Sequence, residues 1–404
     1  MATSPLVPLK FVGRFVSGGT PSSDSANWDG DLPFVTPPDL NGLDGAEIST
    51  WDRALTERGA TESSVVRDAV VLSCRAPIGH IGIAAREIAF NQGCKAVIPE
   101  DPQDLRFLAY ALVGIRKALQ TAGRGTTFTE LSTTELSSLV VPWPNAALRS
   151  LRADYLDRET GDIDAILAKL EQLADALRDR ARVVQTRLVF GLASGERHSA
   201  ADAHSPLSGV PNHWDRTKFA YDFTESTERN GDDPPGPLLS ISEYRGVELN
   251  TRTEGQQASL DVSKYRVVRP GQLAANMMWL NHGGLGVSSL TGYISPDYKA
   301  FWISDRFEPR YIHHLFRSSR YIDYFAAIAT GVRPNAQRVT KTVLDATPVP
   351  LPPLHEQIQI ADRLDEATAR VDAMLEKVAA FKSLLLERRA ALITDVITGK
   401  KEIV

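Results

Sequence analysis

VPLPPLHEQIQIADRLDEATARVDAML, Val349 to Leu375, is written a second time in the same chain as VPWPNAALRSLRADYLDRETGDIDAIL, Val141 to Leu167. The two align without a gap at an offset of 208, and 11 of the 27 columns are identical. Identities at that offset run on to Lys169/Lys377, Leu177/Leu385, Arg180/Arg388, Thr186/Thr394 and Gly191/Gly399, and back to Leu136/Leu344, Thr134/Thr342 and Gly123/Gly331. Shared helical composition would not hold one offset over that span, so this is an internal repeat. Its period far exceeds the roughly 20 to 50 residues of stacked solenoid units, so each copy is a whole domain plus a helix. The expected order is a domain (1–140), a helix (141–191), a linker (192–206, the sequence LASGERHSAADAHSP), a second domain (207–348) and a second helix (349–404).

Both helices open alike. Pro142, Pro144, Pro350, Pro352 and Pro353 impose an extended approach and then favour a first helical turn. Apolar side chains follow at Ile163, Ile166, Leu170, Leu173, Leu177 and Val184, and at Val371, Met374, Val378, Phe381, Leu385 and Leu392. Their alternation of threes and fours is the a/d pattern of a coiled coil. The next position of the row is arginine in both copies, Arg180 and Arg388, which either fixes register or snorkels to water. Helices of this kind, about 65 to 70 Å long at ~1.5 Å per residue, pack most economically on each other. The expectation is an antiparallel coiled coil with pseudo-twofold symmetry; separate packing of each helix on its own domain stays open.

At 404 residues the chain exceeds the roughly 250 at which single cores stop growing. With 43% hydrophobic and 24% charged residues it falls in the soluble globular class. No apolar run approaches the ~20 residues of a membrane span, and MATSPLVPLKFVGRF lacks a signal-peptide core, so a cytoplasmic protein with no membrane partner is expected. Two cysteines, Cys74 and Cys94, are too few for a disulfide framework and lack zinc-site spacing. The net charge of -5 argues against a non-specific nucleic-acid binder, while contact by a few sequence-reading loops stays open.

The two domains share an order of elements. Short strand-like runs broken by Gly, Pro, Asn and Asp come first (Gly18 to Leu40; Glu228 to Tyr244). A strand, a glycine pair and another strand follow, VVLSCRAPIGHIGIAAREIAFNQGCKAV (Val70 to Val97) and QLAANMMWLNHGGLGVSSLTGYISPDYKAF (Gln272 to Phe301), with Lys95 matched to Lys299. Then come a helix (Asp104 to Gln120; Pro309 to Ala327) and a loop, GRGTTFTELS or GVRPNAQRVT, leading to the long helix. The fold class expected is α+β, with mostly antiparallel sheet in both domains.

The duplicated domain-plus-helix layout, GGTPS (Gly18 to Ser22), WDGDLPFVTPPDL (Trp28 to Leu40), ISPDYKAF (Ile294 to Phe301) and above all PLPPLHEQIQIADRLDEATARVDAML resemble the DNA-specificity subunit of Type I restriction-modification systems, over essentially the whole chain. The first copy departs from that pattern, with Asn145, Ala147, Leu148 and Arg149 opposite Pro353, His355, Glu356 and Gln357. The resemblance implies a non-catalytic reader with two target-recognition domains, each taking one half of a bipartite site in double-stranded DNA. It implies helices that set the gap between halves and dock two adenine-N6 methyltransferase subunits, with restriction subunits joining for cleavage. It implies no cofactor in this chain: S-adenosylmethionine belongs to the methyltransferase partner, and ATP and Mg to the restriction partner. Two other readings are a recognition subunit of a Type IIB-like enzyme and a coiled-coil protein-interaction module.

Catalytic motifs do not emerge. DDPPG (Asp232 to Gly236) lacks the aromatic that would stack on an extruded base, and reads as a turn. SGGT (Ser17 to Thr20) lacks the Lys-Ser/Thr of a P-loop. His80, His282, His313 and His314 are scattered, without metal-ligand spacing. The repeated acids Asp157/Asp365 and Asp164/Asp372 read as a solvated stripe or a partner surface.

Base readout needs Arg, Lys, Asn or Gln, with short polar or aromatic neighbours, on loops that enter a groove. In the first domain these are Thr20, Ser22, Ser23, Arg75, His80, Asn91, Gln92, Lys95, Arg124, Thr126 and Thr127. In the second they are Asn276, Trp279, Asn281, His282, Lys299, Arg333, Asn335, Gln337 and Arg338, and GVRPNAQR is the densest cluster.

Overall fold

The computed structural model describes residues 4–123, 130–192, 205–231, 234–242, 245–251, 261–330 and 338–403. They form two compact units, residues 1–171 with 379–404, and residues 172–378. Four helices organise these units: α1 (Leu105–Gly114), α2 (Ala146–Val189), α3 (Pro309–Phe316) and α4 (Leu354–Thr398).

The first unit is built on four antiparallel strands, β1 (Gly13–Ser17), β2 (Ala69–Ser73), β3 (Ile81–Ala84) and β4 (Cys94–Pro99), in the order β1-β4-β2-β3. Side chains alternate across a strand, and here both faces are apolar. Val70, Leu72 and Val97 face a core with Phe107, Leu108 and Leu112 of α1, while Ala69, Val71 and Ala96 face another with Val35, Leu40 and Phe90. A second sheet orders Arg53–Leu55, Trp28–Val35, Ile88–Phe90 and Ser64–Val66, and its pairing of Phe34 with Ala89 is parallel.

The second unit repeats the first sheet. Strands β5 (Phe223–Ser226), β6 (Leu273–Ala275), β7 (Leu285–Val287) and β8 (Lys299–Ile303) lie in the order β5-β8-β6-β7, all antiparallel. The register fixes the correspondence: Leu72 pairs with Lys95 as Ala275 pairs with Lys299. Phe219, Phe223, Phe301, Phe316, Tyr321 and Phe325 fill the larger core, with Phe219 and Phe223 stacked at 4.3 Å. Each such side chain contributes about 1.5 to 3 kcal/mol of burial.

Both cores are closed by ends of both long helices. In the first unit, Ala153 and Leu156 from the start of α2 pack with Ile393, Val396 and Ile397 from the end of α4. In the second, Val189 at the end of α2 packs with Ala361 and Leu364 at the start of α4. Gly191 and Gly399 follow the two helices in left-handed conformations, φ 58° and 78°, which a side chain would strain.

The buried row of each long helix differs from the expected seam. Along α2 it runs through Leu156, Thr160, Ile163, Leu167, Leu170, Ala174, Leu177, Ala181 and Val184; along α4 through Val371, Leu375, Val378, Lys382, Leu385, Arg389, Leu392 and Val396. Ile163, Leu170, Leu177, Val184, Val371, Val378, Leu385 and Leu392 lie on it as expected. Ile166, Leu173, Met374 and Phe381 do not: they are 41, 48, 50 and 48% exposed. The alternate position falls one residue later, on Leu167, Ala174, Leu375 and Lys382, because the cores at the helix ends fix the rotation. Larger neighbours had outweighed small Ala174 in the sequence pattern. Arg180 and Arg388 are exposed, while the next residue along α4, Arg389, is buried and paired with Asp164 at 3.2 Å and Asp44 at 3.6 Å.

Candidate nucleic-acid interface

In the first unit three loops meet at the end of the sheet where β2 stops and β4 starts. The Cys74 N–H donates to the Gly93 carbonyl at 2.7 Å, and Leu131 N–H to the Cys74 carbonyl at 2.8 Å. Gly18 and Gly19 donate to Cys94 and Phe90, and a Cβ on Gly18 would lie 1.9 Å from the Asn91 oxygen, so only glycine permits that approach. Thr20, Arg75, Asn91, Gln92 and Lys95 are thereby brought together. The Thr20 hydroxyl donates to Gln92, and the Asn91 side chain is used internally, accepting from Gly93 N–H at 3.0 Å. Arg75 is exposed and forms a 3.3 Å pair with Glu130. The Lys95 stem is buried, and among the described residues its ammonium makes no ion pair.

Glu62, absent from the sequence expectations, holds the Gly18–Trp28 segment. It accepts from the Ser22 backbone N–H (2.9 Å), the Ser22 hydroxyl (3.0 Å) and the Asn27 amide (3.1 Å). These donors, the Ser22 N–H foremost, hold its carboxyl below the usual carboxylate range. Ser22 thus braces its own loop, while Ser23 stands exposed beside it. His80 lies half-buried at the loop root, its imidazole pKa lowered by burial and by Arg116. Arg124, Thr126 and Thr127 lie outside the described residues.

The second unit builds the same junction: Val339 N–H donates to the Met277 carbonyl at 3.0 Å, as Leu131 does to Cys74. The β6–β7 loop carries Asn276, Trp279, Asn281 and His282. Asn276 organises it, its side-chain oxygen accepting from Met278 N–H at 3.1 Å and its backbone carbonyl from Trp279 N–H at 2.9 Å. The rings of Trp279 and His282 lie 4.3 Å apart at 31°. Lys299 differs from Lys95, for it is spent on Glu225 at 2.7 Å, which also meets Arg266 at 3.1 Å. Burial pushes the Glu225 carboxyl up, but these cations outweigh it and hold it below its ordinary value. Arg338 is exposed and pairs through its backbone with Thr330, while Arg333, Asn335 and Gln337 lie outside the described residues, as do Asp232 and Asp233.

The repeated acids do not form a free stripe. Arg106 of α1 bonds Asp157 and, at 2.8 Å, Asp154; Tyr110 donates to Asp157 at 2.8 Å. In the second unit Arg310 of α3 bonds Asp362 and Asp365 at 2.8 and 2.9 Å, and His314 Nε2 lies 2.8 Å from Asp365. Asp164 meets Arg389, and Asp372 alone of the four stays exposed without an ion pair among the described residues. The departure at the first helix start also has a structural reason. Gln357 is fully buried, donating to the Pro352 and Arg306 carbonyls (2.8 and 3.0 Å) and accepting from Glu308 N–H (2.9 Å). Arg149 takes this role in the first unit, donating to the Pro144 carbonyl at 2.6 Å and to Asp104 at 2.6 and 2.7 Å. Glu356 accepts from His213 and Trp214, at 2.8 and 2.9 Å.

Among the described residues no group of three His, Cys, Asp or Glu could hold a metal ion, and none of their helices is long and apolar enough to cross a membrane. Both cysteines are free and buried, and burial pushes the Cys74 thiol up to about 12, away from reactivity.

Residues 6–173 match the family described as the Type I restriction modification DNA specificity domain. The chain is 32% identical over 143 residues to the Type I restriction enzyme MjaIX specificity subunit of Methanocaldococcus jannaschii, a match covering 34% of this chain and 33% of that one. It is 22% identical over 312 residues to the EcoBI specificity subunit of Escherichia coli, covering 70% of this chain and 63% of the relative. The chain therefore spans from a third to just under two thirds of these curated relatives. A chain solved in work on the assembly and conformational transition of a type I R-M system superposes with a TM-score of 0.63 at 16% identity, over 99% of both chains, which shows a shared fold.

Proposed function

We propose that this chain, a member of the Type I restriction-modification specificity-subunit family, reads the two halves of a split DNA sequence, one with each unit. The observation that carries this is the junction built twice: on equivalent sheets, a β-loop and the segment before the long helix are tied by the same backbone bond, at Cys74–Leu131 and Met277–Val339. Each junction sets Arg, Asn, Gln, His or Lys on loop ends, the groups that meet base edges. The loops differ in sequence, so the two halves of the site differ too.

The chain contributes recognition and no catalytic group. Methyl transfer to adenine N6 falls to a methyltransferase partner that binds S-adenosylmethionine, and ATP- and Mg-dependent cleavage to a restriction partner. Two methyltransferase copies are expected, because the exposed apolar pairs Ile166/Leu173 and Met374/Phe381 repeat at the offset of 208.

The test is to co-express this chain with an adenine methyltransferase subunit and map methylated adenines. One bipartite sequence is expected; methylation at no split site would sink the reading. Replacing residues 1–140 by another reader domain should change one half only, and a change in both halves would refute the modular assignment.

A further inference from the structure

The β6–β7 loop of the second unit holds two large apolar side chains in water. Met278 is 52% and Trp279 41% exposed, although their neighbours Met277 and Leu280 are buried at 8 and 1%. The loop between them is not slack. Asn276 N–H donates to Gly284, Gly284 N–H to the Trp279 carbonyl, and His282 N–H to the same carbonyl, at 2.8, 2.8 and 3.0 Å. Gly283 turns the chain at φ 74°, and a Cβ on Gly284 would meet Trp279 at 2.8 Å. His282 packs against the indole, which still keeps 41% of its surface in water. The indole N–H has no partner among the described residues, though a tryptophan N–H ordinarily finds one when it packs into protein. A rigid loop that presents a plane and a flexible thioether to solvent gains nothing in stability from them.

We infer that Met278 and Trp279 form a wedge that enters a base step of the half-site read by the second unit and unstacks it. This rests on the DNA-reading function proposed above and goes beyond it, since it assigns recognition there to deformation and stacking rather than to hydrogen bonds alone. Apolar wedges of this kind part base steps, and steps that part readily, pyrimidine–purine above all, are thereby selected. The first unit uses a different device. Because Cys74 corresponds to Met277, the place of Met278 is held there by Arg75, a hydrogen-bonding group.

The experiment uses the full chain assembled with its methyltransferase subunits and a duplex bearing the sequence this assembly methylates, with 2-aminopurine placed in turn at each step of both halves. The wild type should raise fluorescence at one step of one half. Trp279→Ala should abolish that rise and weaken binding about tenfold or more, the size expected for losing one base–aromatic stack. Trp279→Phe, which keeps an aromatic plane, should retain the rise and shows that the loop still folds. An unchanged rise and affinity within twofold in Trp279→Ala, or no rise in the wild type, overturns the wedge while leaving the reading function intact. A wild-type assembly that methylates no split sequence overturns both.

Discussion

Arg310 and Asp365 are joined at 2.9 Å, and the same joint is made between Arg106 and Asp157 in the first unit. In each case an arginine of the helix packed on the four-stranded sheet grips two carboxylates, one helical turn apart, on a long helix. The repeat therefore preserves the attachment of sheet domain to long helix while the loops at the sheet ends diverge. Arg310→Ala is expected to destabilise the second unit by about 1 kcal/mol, the scale of a partly exposed network, with a drop of a few degrees in Tm by calorimetry.

A larger loss is expected at Gln357. Gln357→Ala strands the Glu308 N–H and the Pro352 and Arg306 carbonyls in a fully buried place. The expected cost is about 2 to 3 kcal/mol in urea unfolding. A cost under about 0.5 kcal/mol would show that the staple is dispensable.

Acid should act first on the second unit. Burial pushes His313 down to about 3 and lowers His314, so the fold favours the neutral ring over the charged one at both, more strongly at His313. An unfolded histidine takes its proton near pH 6.5, so the unfolded state binds more protons below that value. Stability is fully present above pH 6.5 and falls by up to about 1.4 kcal/mol per pH unit, for each such ring, as pH drops towards the folded value. Asp365 beside His314 softens the effect at that ring. Hydrogen exchange between pH 7 and 5 should show α3 opening earlier than α1, where Ala109 and Tyr110 stand in place of the histidines. Equal protection of both helices would contradict this.

Glu62→Ala should loosen the Gly18–Trp28 segment without touching the core. In methylation assays discrimination at one half-site is expected to relax about tenfold, the other half staying unchanged, and relaxation at both would contradict the loop's assignment to one half.

Ile166→Ser with Leu173→Ser should leave Tm within about 2 °C, since both side chains are half in water. Co-purification with a methyltransferase subunit should fall at least tenfold. Loss of Tm instead would return these residues to a structural seam.

The repeat, the shared succession of elements in the two domains and half of each buried row were legible because they rest on identities and on strong apolar spacing. The other half of each row was not: Ile166 and Leu173 are more hydrophobic than Ala174, and only the anchoring of helix ends in the two cores decides which side turns inward. Asp157 and Asp365 looked like surface because their arginines lie about fifty residues upstream in sequence. Glu356 and Gln357, which the first copy lacks, form an internal staple whose partners lie far away in sequence. Lys95 and Lys299 align, yet Glu225 absorbs one of them, a difference set by a partner residue outside the aligned stretch.

The division of the cores also orders the birth of the molecule. The second unit is one continuous stretch, 172–378, whereas the first cannot close until Ile393, Val396 and Ile397 have been made. At about 5 to 20 residues per second, the ribosome leaves the greasy side of α1 and of the first turns of α2 unsealed for tens of seconds. The domain written first is thus the last to mature, and any chain that stops short of residue 393 leaves it with an open core.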